Sequence, residues 1–455
     1  MKKMEKRAIL CLLLVLAMIA GLGLFIYRLE SSGAQWASFY ANKHIYKDGE
    51  LKTGRIFDRS GTLLMENTAD GVKYNDDGDL RRACIQLTGD PDGNVSTAAN
   101  TAFKSRLIGY DRVTGTTGLM KIKDGRVNLT IDGDLQKTAY RAMSGRNGFV
   151  SVYNWKTGEI MCMISTPAID PANEWERANA PEGTYINKPL SAVFTPGSTF
   201  KLVTMAAALE NIDDLDDWSF ECTGSYEIDG EKITCPKHHG KQDIKDALAN
   251  SCNCAFAKLT VEMGSDVMKK YTEDLGLTES YDIDGIKTAS GSFNFDTYNI
   301  NLGWAGIGQF EDQVNPVSMM VYMGAIAGGG KAAKPVIIKE DGLLAKDGGR
   351  LIKNGDREKA KAGTVKLLRS DTAARLQEMT RNNVIKTYKD ENFPGLELHA
   401  KSGTAETVAG KAPHAWFVGY SGDYAFAVCI ENGGYGASVA GPVANRVLQE
   451  LAKKQ

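Results

Sequence analysis

The sequence predicts a mixed α/β (α+β) chain: an antiparallel sheet flanked by helices, preceded by one transmembrane helix and a small β-rich module. Three observations carry this. An uncharged apolar run fills residues 8–27. Short apolar runs broken by Gly and Asp follow to about residue 127. From 128 on, strand patterns come first, then mostly helical ones, then strands closing with a helix, an order that packs a sheet against helices. With 455 residues, 43% hydrophobic and 24% charged, the composition excludes a wholly disordered or collagen-like chain. Lys plus Arg (54) nearly balance Asp plus Glu (56), which argues against an electrostatic nucleic-acid binder.

Residues 8–27 read AILCLLLVLAMIAGLGLFIY. A helix of that length rises ~30 Å, the thickness of a bilayer's hydrocarbon core. Lys2, Lys3, Lys6 and Arg7 precede it. By the positive-inside rule, residues 1–7 form a cytoplasmic tail and the chain beyond the anchor is exported. The rival reading is a cleaved signal peptide, whose apolar region usually spans only ~7–15 residues. Residues 28–52 read as a stalk. Residues 53–127, with GRIFDRSGTLLME near their start, read as the small β-rich module, and 70–100 is turn-dense. Asp76, Asp77 and Asp79 read as a solvated turn rather than a calcium site.

The largest domain is expected at 128–455. VNLTIDGDLQKTAYRAM combines a strand, a turn and a helix start with Asp132 as N-cap. GFVSVYNWKTGEIMCMIS is two alternating runs around residues 156–159, a hairpin signal. FTPGSTFKLVTMAAALEN places Pro and Gly just before an apolar helix. LRSDTAARLQEMTRNNVI is an amphipathic helix with Ser370 or Asp371 near its cap. ELHAKSGTAE, HAWFVGYSG and YAFAVCIEN are strand candidates, and 443–455 is a last helix.

Three short patterns carry chemistry. S-x-x-K occurs once, at Ser198–Lys201. On a helix, residues three apart share a face, so the amine would sit beside the hydroxyl. A serine needs such a base to become nucleophilic, and a lysine serves if burial or nearby positive charge lowers its pKa. Thr195-Pro196-Gly197 would turn Ser198 into a helix N-terminus, where backbone N–H groups favour a developing oxyanion. S-x-N occurs at Ser251–Asn253 and at Ser292–Asn294. K-[S/T]-G occurs at Lys52, Lys156 and Lys401. Ser251 opens a helical segment 53 residues after Ser198, whereas Ser292 lies in a Gly/Asn-rich loop. Lys401-Ser402-Gly403-Thr404 lies at a strand candidate followed by two more. Context selects Ser251 and Lys401.

With these motifs in view, the chain resembles the class B penicillin-binding proteins, the monofunctional D,D-transpeptidases of the serine β-lactamase-like superfamily. GRIFDRSG, LTIDGDLQ, FTPGSTFK, IGQFEDQVNP, KSGTAE and AWFVGY are similar to family patterns and together span about 53 to 455. The resemblance implies the penicillin-binding transpeptidase fold, with 53–127 as a reduced pedestal module. It implies a membrane-anchored enzyme that cross-links peptidoglycan stem peptides through a Ser198 acyl-enzyme, is acylated by β-lactams and needs no cofactor. Lys201 would take the Ser198 proton. Ser251 would relay a proton to the leaving amine, and Asn253 would hold the substrate amide and Lys201. Lys401 would add positive charge. Ser402 and Thr404 would bind the terminal carboxylate in the Lys401-Ser402-Gly403 strand. The backbone N–H groups of Ser198 and Thr404 would form the oxyanion hole. It also implies a SEDS-type glycan polymerase as a membrane partner. A D,D-carboxypeptidase or β-lactamase on the same fold, and a penicillin-binding sensor or scaffold, are the alternatives.

Eight cysteines complete the picture. Cys11 lies in the anchor, which leaves an odd number beyond it and at least one thiol without a disulfide. No metal is assigned. Cys222, Cys235 and His239, with His238 nearby, have metal-ligand residue types, and Cys252 or Cys254 would complete a set. A Cys222–Cys235 disulfide and free thiols are the other readings. Glu311 and Asn315 mimic a deacylation motif and read as a decoy.

Overall fold

The computed structural model describes residues 2–39, 45–47, 50–110, 125–339, 345–347, 350–352, 363–407 and 410–454. Parts of the expected stalk (40–44, 48–49) and of the small module (111–124) lie outside the described residues. The chain clusters into two compact units. The first comprises Met1–Ile56, Met65–Lys73 and Phe103–Val127, and the second Phe57–Leu64, Tyr74–Ala102 and Asn128–Gln455.

The first unit opens with α1, Lys2–Ala37. Within its stretch Met4–Leu29 an 18-residue window reaches a mean hydropathy of 3.0, and none of that window is buried among the described residues. It is long and apolar enough to cross a membrane. Beyond it, Tyr46 Oη donates to Ser38 O at 2.8 Å. Gly54, at φ 110°, passes so close to Leu107 that a Cβ there would lie 2.7 Å from the Leu107 carbonyl.

The second unit begins with a turn knotted by a buried carboxylate. Asp58 accepts from Ser60 N at 2.9 Å, Thr62 N at 2.7 Å and Gly133 N at 3.1 Å. This explains the Asp-Arg-Ser-Gly string in physical terms. Helix α2, Gly78–Thr88, occupies part of the stretch expected to be turns. Asp77 is its N-cap and Leu80, Ala83, Cys84 and Leu87 form its buried stripe. The acidic cluster thus serves as a helix start. Helix α3, Gly133–Met143, is capped by Asp132, as the sequence predicts.

The hairpin follows as expected: β1, Gly148–Asn154, pairs antiparallel with β2, Ile160–Thr166. Next come α4 (Lys201–Asn211) and four short strands, β3 (Ser219–Cys222), β4 (Ser225–Ile228), β5 (Glu231–Thr234) and β6 (Gly240–Asp243). β4 pairs with β5, and β3 with β6. Helices α5 (Ile244–Ala249), α6 (Asn253–Met263), α7 (Pro316–Ala327) and α8 (Ser370–Asn383) lead to β7 (Leu398–Ala405), β8 (His414–Ser421), β9 (Tyr424–Ile430) and α9 (Gly436–Ala452). Two expected boundaries move. The cap of α8 is Arg369, with Ser370 already helical. Helix α9 starts seven residues before Val443, through Gly436, Gly441 and Pro442, residues whose low helix propensity hides it in sequence.

The central sheet is antiparallel, in the order β7-β8-β9-β1-β2. Period-two alternation divides its faces. Val150, Val152, Ala415, Phe417, Phe426, Val428, Leu398 and Ala400 pack with α3 and α9 in one apolar cluster. Phe149, Trp416 and Phe194 meet on the other face at ring-centroid distances of 5.3 to 6.0 Å. Met161, Met163, Met319, Met320 and Met323 are buried core residues.

Candidate active site

The S-x-x-K segment begins on a turn pinned from several sides. Gly197 stands at φ 55°, and a Cβ there would lie 2.7 Å from Thr404 O. Its N–H donates to Gly308 O at 2.8 Å, and Trp416 Nε1 donates to Thr195 O at 3.1 Å. A 3-10 turn over Gly197–Thr199 then feeds α4, whose first residue is Lys201. The three-residue spacing brings Lys201 Nζ to 3.1 Å from Ser198 Oγ.

Ser251 is placed by a helix ending. Helix α5 stops with the Cys252 N–H on Ala247 O (2.9 Å) and the Ser251 N–H on Leu248 O (3.1 Å). This pair of bonds is a Schellman cap, and it puts Ser251 in the left-handed region at φ 52°. The chain turns at once into α6, with Cys252 as N-cap. Two helices therefore meet across Asn250–Cys252, and the S-x-N motif spans the last two hinge residues and the first residue of α6.

The five expected residues converge. Lys201 Nζ lies 2.7 Å from Ser251 O, 3.3 Å from Ser251 Oγ and 2.7 Å from Asn253 Oδ1. Lys401 Nζ donates to Ser251 Oγ at 2.9 Å and to Ser402 O at 2.8 Å. Ser251 Oγ thus bridges two lysines, both 0% exposed. Burial, opposed by a weaker upward pull from the Cys235, Cys252 and Cys254 thiols, lowers Lys201 to about 8. Burial first, and then the charge of Lys201, hold Lys401 well below the usual lysine range. Hydrogen-bond bookkeeping agrees. A neutral amine has two N–H donors and one lone pair. Ser251 O and Asn253 Oδ1 accept the two donors, leaving the lone pair for the Ser198 hydroxyl.

The other copies of each motif lie elsewhere. Ser292 pairs with Gln313 in an isolated bridge, and Lys156 ion-pairs with Asp423 at 2.5 Å. Lys52 belongs to the first unit. Glu311 accepts from Asn294 at an exposed position, and Asn315 caps α7.

Strand β7 is an edge of the sheet, and its alternation sets Ser402 and Thr404 on the face of Leu398 and Ala400, opposite Lys401. Ser402 is held by a residue that motif reading missed: Tyr388 Oη accepts from Ser402 N at 2.8 Å and lies 3.0 Å from Ser402 Oγ. Thr404 Oγ1 accepts from Gly436 N at 3.5 Å, and Gln309 Nε2 donates to Thr404 O at 3.2 Å. A Cβ on Gly403 would lie 2.9 Å from Pro196 O, so the strand and the nucleophile turn need a glycine to approach this closely. Thr234 was also missed. Its carbonyl accepts from Asn253 Nδ2 at 2.9 Å, which turns the amide oxygen toward Lys201.

All eight cysteines are free thiols, so the Cys222–Cys235 disulfide is not formed. Instead Cys222, Cys235, His239 and Cys252 bring their donor atoms within 4.8 Å of one another. Cys254 lies beside this group, interacting with Cys235 and Cys252, but its Sγ donates to Ile233 O at 3.6 Å.

Residues 148–449 match the model of the penicillin binding protein transpeptidase domain. The chain belongs to this family. Among its relatives, the peptidoglycan D,D-transpeptidase PbpA of Mycobacterium tuberculosis is 24% identical over 363 residues, covering 72% of each chain. Stage V sporulation protein D of Bacillus subtilis is 32% identical over 231 residues, 48% of this chain and 35% of that protein. The penicillin G acyl-enzyme complex of penicillin-binding protein A from M. tuberculosis superposes with a TM-score of 0.74 at 22% identity, covering 88% of this chain and 99% of that one. That likeness establishes the fold: an antiparallel sheet flanked by helices, as expected.

Proposed function

We propose that the chain is a membrane-anchored peptidoglycan D,D-transpeptidase working through a Ser198 acyl-enzyme. The observation that carries this is the Ser198–Lys201–Ser251–Asn253–Lys401 network inside a transpeptidase domain. Ser198 Oγ attacks the carbonyl of the penultimate D-Ala of a stem peptide, and neutral Lys201 takes its proton. The carbonyl oxygen becomes an oxyanion facing the backbone N–H groups of Ser198 and Thr404. Ser251, between the two lysines, passes a proton to the leaving D-Ala amine as the C–N bond breaks. An amine of a second stem peptide attacks the acyl-enzyme, forms the cross-link and restores Ser198. Ser402 and Thr404 bind the terminal carboxylate from the strand edge, with Tyr388 fixing the Ser402 rotamer, and Lys401 adds positive charge.

β-Lactams present the same acyl chemistry and acylate Ser198. The basic residues before the anchor favour an N-terminus in the cytoplasm and a catalytic domain outside the membrane. A PBP2–MreC complex is known for a Helicobacter pylori structural neighbour. For this chain we propose a SEDS-type glycan polymerase as partner, through the anchor and the residues that follow it. The test is a labelled penicillin followed by intact mass. A long-lived adduct that Ser198→Ala abolishes, together with dimer formation from stem pentapeptides, is the expected result. Adduct clearance within seconds points to a β-lactamase, and release of D-Ala without dimers to a carboxypeptidase. A folded chain that never acylates overturns the enzyme reading in favour of a sensor or scaffold.

A further inference from the structure

Outside the catalytic network, the least expected cluster lies directly behind the S-x-N hinge. Cys222 ends β3, Cys235 follows β5, His239 precedes β6 and Cys252 caps α6, so four separate elements converge on one point. Cys235 Sγ and Cys252 Sγ are 3.6 Å apart, and Cys222 Sγ is 3.4 Å from His239 Nδ1. A tetrahedron with ~2.3 Å metal–sulfur bonds has sulfur–sulfur edges of ~3.8 Å, with slightly shorter edges to nitrogen. Two of the six edges already match, and all four donor atoms lie within 4.8 Å of one another.

Two further features suit a metal better than four idle side chains. The backbone N–H of residue 254 donates to Cys235 Sγ at 3.4 Å, and that of Ala255 to Cys252 Sγ at 3.5 Å. Such N–H···S bonds are the outer shell that orients and stabilises thiolate ligands. Cys222 and Cys252 are also at most 1% exposed, as a closed structural site requires. A Cys235–Cys252 disulfide would use two of the four donors and leave Cys222 and His239 without a role.

We propose that Cys222, Cys235, His239 and Cys252 form a tetrahedral zinc site that clamps the β4–β5 hairpin onto the S-x-N hinge. Three thiolates and one imidazole in a tetrahedron select zinc among common divalent ions. Binding exchanges the three thiol protons for the metal, with no change in oxidation state. Cys252 is the middle residue of the motif, so the metal fixes both its neighbours. Ser251 is held between the lysines, and Asn253 is held by Thr234, the residue next to Cys235. These ligands are positioning residues. This part of the proposal rests on Ser198 being the acylated serine, whereas the metal site does not.

The test uses the full chain, solubilised in detergent and purified under reducing conditions. Elemental mass spectrometry is expected to find one zinc per chain, and none in Cys222→Ser or His239→Ala. After chelation, added cobalt(II) is expected to give the visible bands of a tetrahedral ion and a thiolate charge-transfer band. This readout does not depend on activity or on the variants folding well. Removing zinc should slow acylation by a fluorescent penicillin by at least ~10-fold, with recovery on adding zinc back. Absence of zinc together with absence of the cobalt bands overturns the site, whether mass mapping then finds Cys235 joined to Cys252 or all thiols free. Zinc present with an unchanged acylation rate overturns the clamp. Zinc present with no acylation in either state refutes the Ser198 reading instead.

Discussion

The pH dependence of acylation follows from the burial of Lys201. Attack by Ser198 needs Lys201 neutral, and burial lowers that amine to about 8. A base with its midpoint there is ~10% neutral at pH 7 and ~90% neutral at pH 9. The acylation rate should therefore rise about tenfold over that interval, be half-maximal near pH 8 and level off above it. It falls as pH drops through the midpoint, because protonation occupies the lone pair aimed at Ser198 Oγ. The assay is the second-order rate of labelling by a fluorescent penicillin, measured on the full chain between about pH 6 and pH 9.5. Lys201→Arg is the companion variant. Its guanidinium stays charged throughout, so the rate should fall by at least ~100-fold at every pH. A flat profile in the unmodified chain, or normal acylation by Lys201→Arg, would refute Lys201 as the base.

Other expectations come from single contacts. Asn253→Ala removes the Oδ1 acceptor 2.7 Å from Lys201 and should cost about 1.5–3 kcal/mol in acylation, roughly 10- to 100-fold, read in the same assay. Tyr388→Phe removes the acceptor of the Ser402 N–H, and an unsatisfied group there should lower stability by about 1–3 kcal/mol, seen as a lower Tm. Gly197→Ala adds a Cβ 2.7 Å from Thr404 O at a left-handed position, so it should displace the nucleophile turn and slow acylation strongly. Gly145→Ala, also left-handed but with open space around it, should cost only about 1 kcal/mol of stability and leave acylation unchanged.

Much of the site is legible in the sequence because its parts are local. Ser198 and Lys201 meet through helical spacing alone. The hairpin of residues 148–166 declares itself by alternation. Tyr388 and Thr234 are different. Tyr388 lies 14 residues from Ser402, and Thr234 lies 19 residues from Asn253. Neither belongs to a motif, and each acts only through a contact that packing creates. Helix α2 escaped notice because the turn-forming residues on both sides of it mask a short amphipathic stripe.

The sequence by itself determined the apolar N-terminal helix, the hairpin at 148–166, the three closing strands, several helices around them, and the residue types of the reacting groups. These depend on hydrophobic period, caps and short spacings, which act within a few residues. Sequence context selected Ser251 and Lys401 among the copies of each motif, and the tertiary structure makes their contacts, bringing Ser251 to Lys201 across 50 residues and Lys401 to Ser251 across 150. The tertiary structure also decided that Cys222, Cys235, His239 and Cys252 share one point. Sequence spacing carries no record of these meetings. They are set by burial of the sheet's two faces and by the Schellman turn at Ser251, which only the folded chain brings together.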